Sequence, residues 1–166
     1  LRHYVADGVR HDQQRAWIDT TWTALQTAEA ASDAQLSWAR AFATASSFDD
    51  SRRDDVRGLL EGAVPDGLTV DPDLRWQLLT ALVTTGHAGA GEIAAEQQRD
   101  TGSGRTAARR ALASRPDRTV RAAAWTAAWT DETLSNDHLD AEISGLRAGG
   151  RRDLIESFDD EYFARI

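Results

Sequence analysis

No set of residues in this chain has the spacing of a catalytic centre. The four histidines are His3, His11, His87 and His138, and none has a second histidine at helical spacing. The nearest metal-like pair is His138 with Glu142, one helical turn apart, and two donors fall short of the three or four that zinc takes from a protein. A solvated first helical turn is the plainer reading. The run Gly86-His87-Ala88-Gly89-Ala90-Gly91 has glycines that could cradle a phosphate at the next helix start. No strand precedes it, however, no Gly-Lys-Ser/Thr follows, and Glu92 in the first turn opposes an anion. An interhelical turn accounts for it. The chain has no Gly-x-Ser-x-Gly elbow to present a nucleophile, and its carboxylates fall mostly on solvated faces.

The arginines say more. All nineteen basic residues are arginine, and alanine is the commonest residue, a bias that a GC-rich genome produces without any function. The formal charge of −8 repels a polyphosphate partner unless positive charge is strongly segregated. One stretch does segregate it. Between Thr101 and Thr130, Arg105, Arg109, Arg110, Arg115, Arg118 and Arg121 stand against Asp117 alone, a local +5 that leaves −13 elsewhere. Arg105 and Arg109 stack at i, i+4, so a basic ridge follows. Such a ridge either pairs with the domain's own excess acids or docks an acidic neighbouring domain. Nucleic acid ranks last, because no aromatic side chain is interleaved with these arginines.

A fourth candidate sits in the best-specified element. In Asp71–Gly86, Asp71 can cap the first free N–H groups, Pro72 suits the first helical position, and Gly86 tolerates positive φ at the stop. Asp73, Gln77, Thr80 and Thr84 fall in one narrow stripe, while Leu74, Trp76, Leu78, Leu79, Ala81, Leu82 and Val83 cover most of the remaining circumference. Such a helix has neighbours on more than one side. Arg75 projects into the apolar part, where an unpaired guanidinium is costly to desolvate. Either Asp71 or an acid from a neighbouring helix holds it as an ion pair, or it reaches a surface used by another domain or a ligand. Arg75, Arg105, Arg109 and Arg110 are therefore the candidate domain-contact or substrate-facing residues.

The other elements follow from periodicity. Leu1–Asp12 reads as a lead-in, the remnant of a truncated helix. Helices are expected over Gln13–Ala30, Asp33–Ser46 and Ser51–Gly62, and Val64–Val70, with Pro65 and Gly67, is a connector. After Gly86 come short helices over Glu92–Arg99 and up to Ser114. In Asp117–Thr130, Val120, Ala123, Ala124, Ala127 and Ala128 form a small-residue face that lets one neighbour approach closely, with Trp125 and Trp129 on nearly the opposite side. Leu134-Ser135-Asn136 caps a helix with the stripe Leu139, Ile143 and Leu146, which Gly149-Gly150 ends. Leu154, Ile155, Phe158, Tyr162 and Ile166 suggest one or two last turns.

About eight helices with short connectors and no alternating strand pattern predict an all-α chain of stacked antiparallel pairs, an irregular α-solenoid of HEAT or armadillo type. A closed bundle is the alternative. At 166 residues the chain suits one domain, since folding at about 150 residues buries about 70% of the unfolded surface. There is no cysteine, hence no disulfide or thiolate metal site, and no run of transmembrane length, so no membrane partner is expected. A cytoplasmic location is expected. The start at Leu1 and the apolar, aromatic end Glu161-Tyr162-Phe163-Ala164-Arg165-Ile166 suggest a piece of something longer, truncated in its last helix.

Six stretches, in this order, resemble a known family: Gln35-Leu36-Ser37-Trp38-Ala39-Arg40-Ala41-Phe42, the Asp73-Leu74-Arg75-Trp76 helix, Ala113-Ser114-Arg115-Pro116, Ala123-Ala124-Trp125, Leu134-Ser135-Asn136 and Glu161-Tyr162-Phe163. Together, from about Gln13 to Phe163, they resemble the C-terminal helical domain of actinobacterial aminopeptidase N, among the zinc-dependent gluzincin aminopeptidases. The resemblance implies a non-catalytic, HEAT-like bowl over the active-site chamber of the upstream catalytic domain, restricting access and shaping the path of a peptide substrate. Zinc is implied in that catalytic domain, and no cofactor in this chain. The family's HExxH and Gly-x-Met-Glu-Asn motifs do not occur here, so no catalytic or metal residue carries over. A stand-alone helical-repeat scaffold for protein partners is the other reading.

Overall fold

The computed structural model of this chain describes residues 7–100, 102 and 104–165. His3, residues 1–6 of the expected lead-in and Ile166 lie outside the described residues. Among the described residues nine α-helices follow one another: α1 (Asp7–Thr27), α2 (Asp33–Ala45), α3 (Arg53–Glu61), α4 (Pro72–Thr84), α5 (Ala90–Arg99), α6 (Gly104–Ala113), α7 (Arg118–Thr130), α8 (Asn136–Leu146) and α9 (Asp159–Arg165). Three single 3₁₀ turns between Ala148 and Phe158 connect the last two. Among the described residues there is no strand, and no helix is long and apolar enough to cross a membrane.

The helix ends are set by local chemistry. Ser32, Asp71, Asp117 and Ser135 each accept a backbone N–H of the first turn of α2, α4, α7 and α8, contacts that contribute about 1 kcal/mol apiece. At the far end of α4, Gly86 takes φ +86°, and His87 N–H reaches back to the Leu82 carbonyl at 2.7 Å, closing the last turn. The first helix departs from expectation: α1 starts at Asp7 rather than Gln13. Its opening turns hold Val9, which is 48% exposed, among polar residues, and a helical turn with no buried face leaves no apolar period to read.

The even-numbered helices stack directly, α2 on α4, α4 on α6 and α6 on α8, and each carries its odd-numbered predecessor. Helix α4 lies in the middle and serves two apolar clusters. Leu74, Leu78, Ala81 and Leu82 join Ile18, Leu25, Phe42 and Leu59; Trp76, Leu79 and Val83 join Ile93, Ala108 and Ala111 of α5 and α6. Each such Leu or Ile contributes about 2 kcal/mol by leaving water. The two-sided apolar surface of α4 is thus accounted for on both sides.

A third, smaller cluster joins Ala113, Ala124 and Leu146 with half-buried Trp125, Ile155 and Phe158. The ring of Trp125 stacks on Phe158 at 5.3 Å and 6°, and its N–H donates to Glu161 Oε2 at 2.8 Å. Here α6 and α8 approach so closely that a Cβ at Gly145 would stand 2.5 Å from the Arg110 carbonyl oxygen and 2.6 Å from Ala113 Cβ. Because the obstacle includes backbone, relief requires the helices to part. Gly145→Ala should destabilise the domain by about 1–3 kcal/mol in urea unfolding; an unchanged midpoint would show that the helices separate freely.

The small-residue face of α7 corrects the expectation of a close neighbour. Ala124 is buried, at 5% exposure, but Val120, Ala123 and Ala127 line an open groove. The helix is turned so that Arg121 and Ala124 point inward while the rest of the stripe does not.

Candidate functional site

The polar stripe of α4 points to the main concavity. Asp73, Gln77 and Thr80 line a groove of about 890 Å³ that runs across α2, α4, α6 and α8. Stacking the even helices on one another brings one face of each to a shared inner surface, and this stripe is the part of α4 spared from both apolar clusters. The groove carries both charges: Arg40, Arg110 and Arg147 with Asp73 and Asp140. Arg40 donates to Asp71 Oδ2 at 3.1 Å, and Arg110 stands 3.6 Å from Asp140. Ile143, 38% exposed, adds an apolar surface in the same wall. Such a lining, with polar groups of both signs beside apolar patches, can take up a zwitterionic chain.

The four candidate arginines separate in space. Arg75 is held at the junction of α4 with α5. Its Nε and one terminal nitrogen donate to the two carboxylate oxygens of Glu96 at 2.7 and 2.8 Å, and the other terminal nitrogen donates to the Leu60 carbonyl at 3.0 Å. Glu96 is nearly buried, at 8% side-chain exposure. The bidentate hydrogen bond from Arg75 holds the Glu96 carboxyl below its ordinary value of 4.5 and raises the guanidinium in turn. Asp71 is not the partner, since it caps α4 and meets Arg40.

Arg110 alone of the four lines the concave groove. Arg105 and Arg109 line a second one, of about 670 Å³, bordered by α5, α6 and α7. There Arg109 donates to Glu142 Oε1 at 2.6 Å, which takes up the acid of the His138–Glu142 pair. Among the described residues no group of three or more His, Asp or Glu could hold a metal ion. The N-terminus of α5 is likewise filled: Glu92 accepts the Gly89 N–H at 3.2 Å and pairs with Arg57.

Arg121 leaves the basic ridge altogether. It is wholly buried, and its donors turn to five backbone carbonyls, those of Arg115 (3.0 Å), Ser114 (2.6 Å), Gly145, Leu146 and Ala148 (3.4 Å). These carbonyls lie at or just past the ends of α6 and α8, where backbone donors run short, although those of Arg115 and Gly145 also accept the Asp117 and Arg147 N–H groups. A cation there also meets the negative ends of two helix dipoles. Burial, with Arg151 nearby, pushes the guanidinium down to about 10, so it stays charged at neutral pH. Sequence reasoning placed Arg121 on the surface; the signal available was its position one turn before Ala124 and Trp125, the packed side of α7.

The model of the ERAP1-like C-terminal domain family matches residues 4–166. The chain belongs to that family. Among curated relatives, aminopeptidase N of Streptomyces lividans is 37% identical over 168 residues, covering 100% of this chain and 20% of that protein. This ERAP1-like C-terminal domain therefore spans about a fifth of the relative's length and corresponds to the C-terminal part of an aminopeptidase N-like protein, as the Leu-Arg-Trp helix and its five companion stretches imply. What the relative does as a whole lies beyond these residues.

Proposed function

We propose that this domain works beside the zinc-bearing catalytic domain of an aminopeptidase in the same polypeptide, as a HEAT-like part of the wall of the chamber that receives peptides. The observation that carries this reading is the mixed-charge groove across α2, α4, α6 and α8, in a chain of this family. Bond cleavage is assigned to the catalytic domain. The domain's contribution is to narrow access and to guide the part of a peptide beyond its scissile N-terminal bond.

The test uses the full-length enzyme and compares a single-residue aminoacyl reporter with a series of longer peptides. Arg110→Ala together with Ile143→Ser should raise KM for the longer peptides about threefold or more, with the reporter's kcat unchanged, since partly exposed contacts contribute up to about 1 kcal/mol each. An unaltered length dependence would overturn the wall reading. Zinc-dependent turnover of the reporter by residues 1–166 alone would overturn the assignment of chemistry to another domain.

A further inference from the structure

The second groove lies apart from the first and has a different character. It runs between α5 and α7, with α6 and part of α8 as its floor. Three arginines line it, Arg105, Arg109 and Arg115, against one acid, Glu142, already taken by Arg109. Arg105 is exposed and has no ion pair among the described residues. Arg115 donates Nε to the Leu112 carbonyl at 3.2 Å and lies within electrostatic reach of Asp117, whose carboxylate caps α7, and among the described residues its terminal nitrogens make no hydrogen bond. Asp131 at the end of α7 lies within electrostatic reach of Arg109, and its own side chain is occupied with Thr133. Two guanidinium groups therefore keep donors for an external carboxylate in a chain whose net charge is −8.

The floor between these charges is apolar. Leu112 is 37% exposed, and Val120, Ala123 and Ala127 present the small-residue face of α7 beside it. Small side chains leave room for a segment to lie close to the helix, and an exposed leucine rewards an apolar contact from it. We propose that this groove docks an acidic segment of a partner protein, one that also carries a large apolar side chain to cover Leu112. Charge complementarity selects the sign of the partner: a basic or neutral segment would leave Arg105 and Arg115 facing it unpaired. The inference stands on this groove alone and does not depend on the chamber-wall reading.

The experiment measures binding of a short fluorescein-labelled peptide of Glu and Leu to the 166-residue chain at low salt by fluorescence anisotropy. Arg105→Glu with Arg115→Glu should weaken binding about tenfold or more, and so should added salt, because opposed charges are turned into repelling ones. Leu112→Asp should weaken it too. Arg110→Glu, in the other groove, should leave it unchanged, and unfolding midpoints confirm that each variant folds. Three results would overturn the proposal: no measurable binding by the native chain, equal loss in Arg110→Glu, or complete competition by a leucine-free acidic peptide or inorganic phosphate at equal charge. The last would reduce the site to attraction between opposite charges.

Discussion

Replacing Arg121 with methionine is expected to destabilise the domain by about 3–5 kcal/mol, comparable with breaking a buried ion pair. The reason lies in what is left behind rather than in what is removed. Methionine fills a similar volume and avoids burying a charge, yet the Ser114, Leu146 and Ala148 carbonyls would lose the guanidinium, and those of Arg115 and Gly145 would fall back on the Asp117 and Arg147 N–H groups. A buried acceptor without a donor costs about 1–3 kcal/mol, so even partial rescue by water leaves a large deficit. Lysine is expected to recover only part of the loss, because three donors on a single atom cannot reach five carbonyls spread over two helix ends. Chemical denaturation with far-ultraviolet circular dichroism reads both variants. A loss under about 1 kcal/mol for the methionine variant would mean that the carbonyls are readily rehydrated.

The second large effect concerns Arg75. Removing it leaves Glu96, at 8% side-chain exposure, without either of its two strong donors, and Arg75→Met should cost about 2–4 kcal/mol, allowing for the partial exposure of the arginine. The double variant Arg75→Met/Glu96→Leu should regain most of that, since two apolar side chains replace a desolvated pair. Acid makes the same contact visible in the native protein. A carboxyl held below its ordinary value of 4.5 contributes stability that is fully present above that value and is lost as pH falls through the depressed one. The pH dependence of unfolding below about 4.5 should therefore flatten in Glu96→Gln. Unchanged stability of Arg75→Met in the domain, with altered activity in the full-length enzyme, would instead favour a role for Arg75 in contacting another domain.

The parts of the fold legible in the sequence were those written in local chemistry. Asp71, Pro72 and Gly86 marked both ends of α4, and its apolar circumference announced neighbours on two sides, because capping and periodicity act within a few residues of one another. The polar stripe Asp73–Gln77–Thr80 was also visible, although its meaning as a groove wall required α2, α6 and α8 to be in place. Long-range pairings were harder. Glu96 lies 21 positions from Arg75 and Glu142 lies 33 from Arg109, and no period links them. Arg121 was misplaced because charge counting treats arginines alike, whereas one guanidinium had the backbone of two helix ends to satisfy. The basic stretch thereby divides: Arg109 and Arg110 face acids of α8, Arg105 and Arg115 face the second groove, and Arg121 faces inward.

Helix α4 gives the stack its cooperativity. Because its side chains complete both of the larger apolar clusters, opening either one exposes α4 and with it the other, so helices α1 to α6 are expected to exchange their amide protons as a single unit, which native-state hydrogen exchange would check. The segment from α7 onward shares a small cluster with Ala113 of α6 and is tied on through Arg121 and the Gly145 contact. That junction joins backbone carbonyls, a close helix approach and the Ala113 methyl group, so the last helices are held to the stack by contacts of three different kinds.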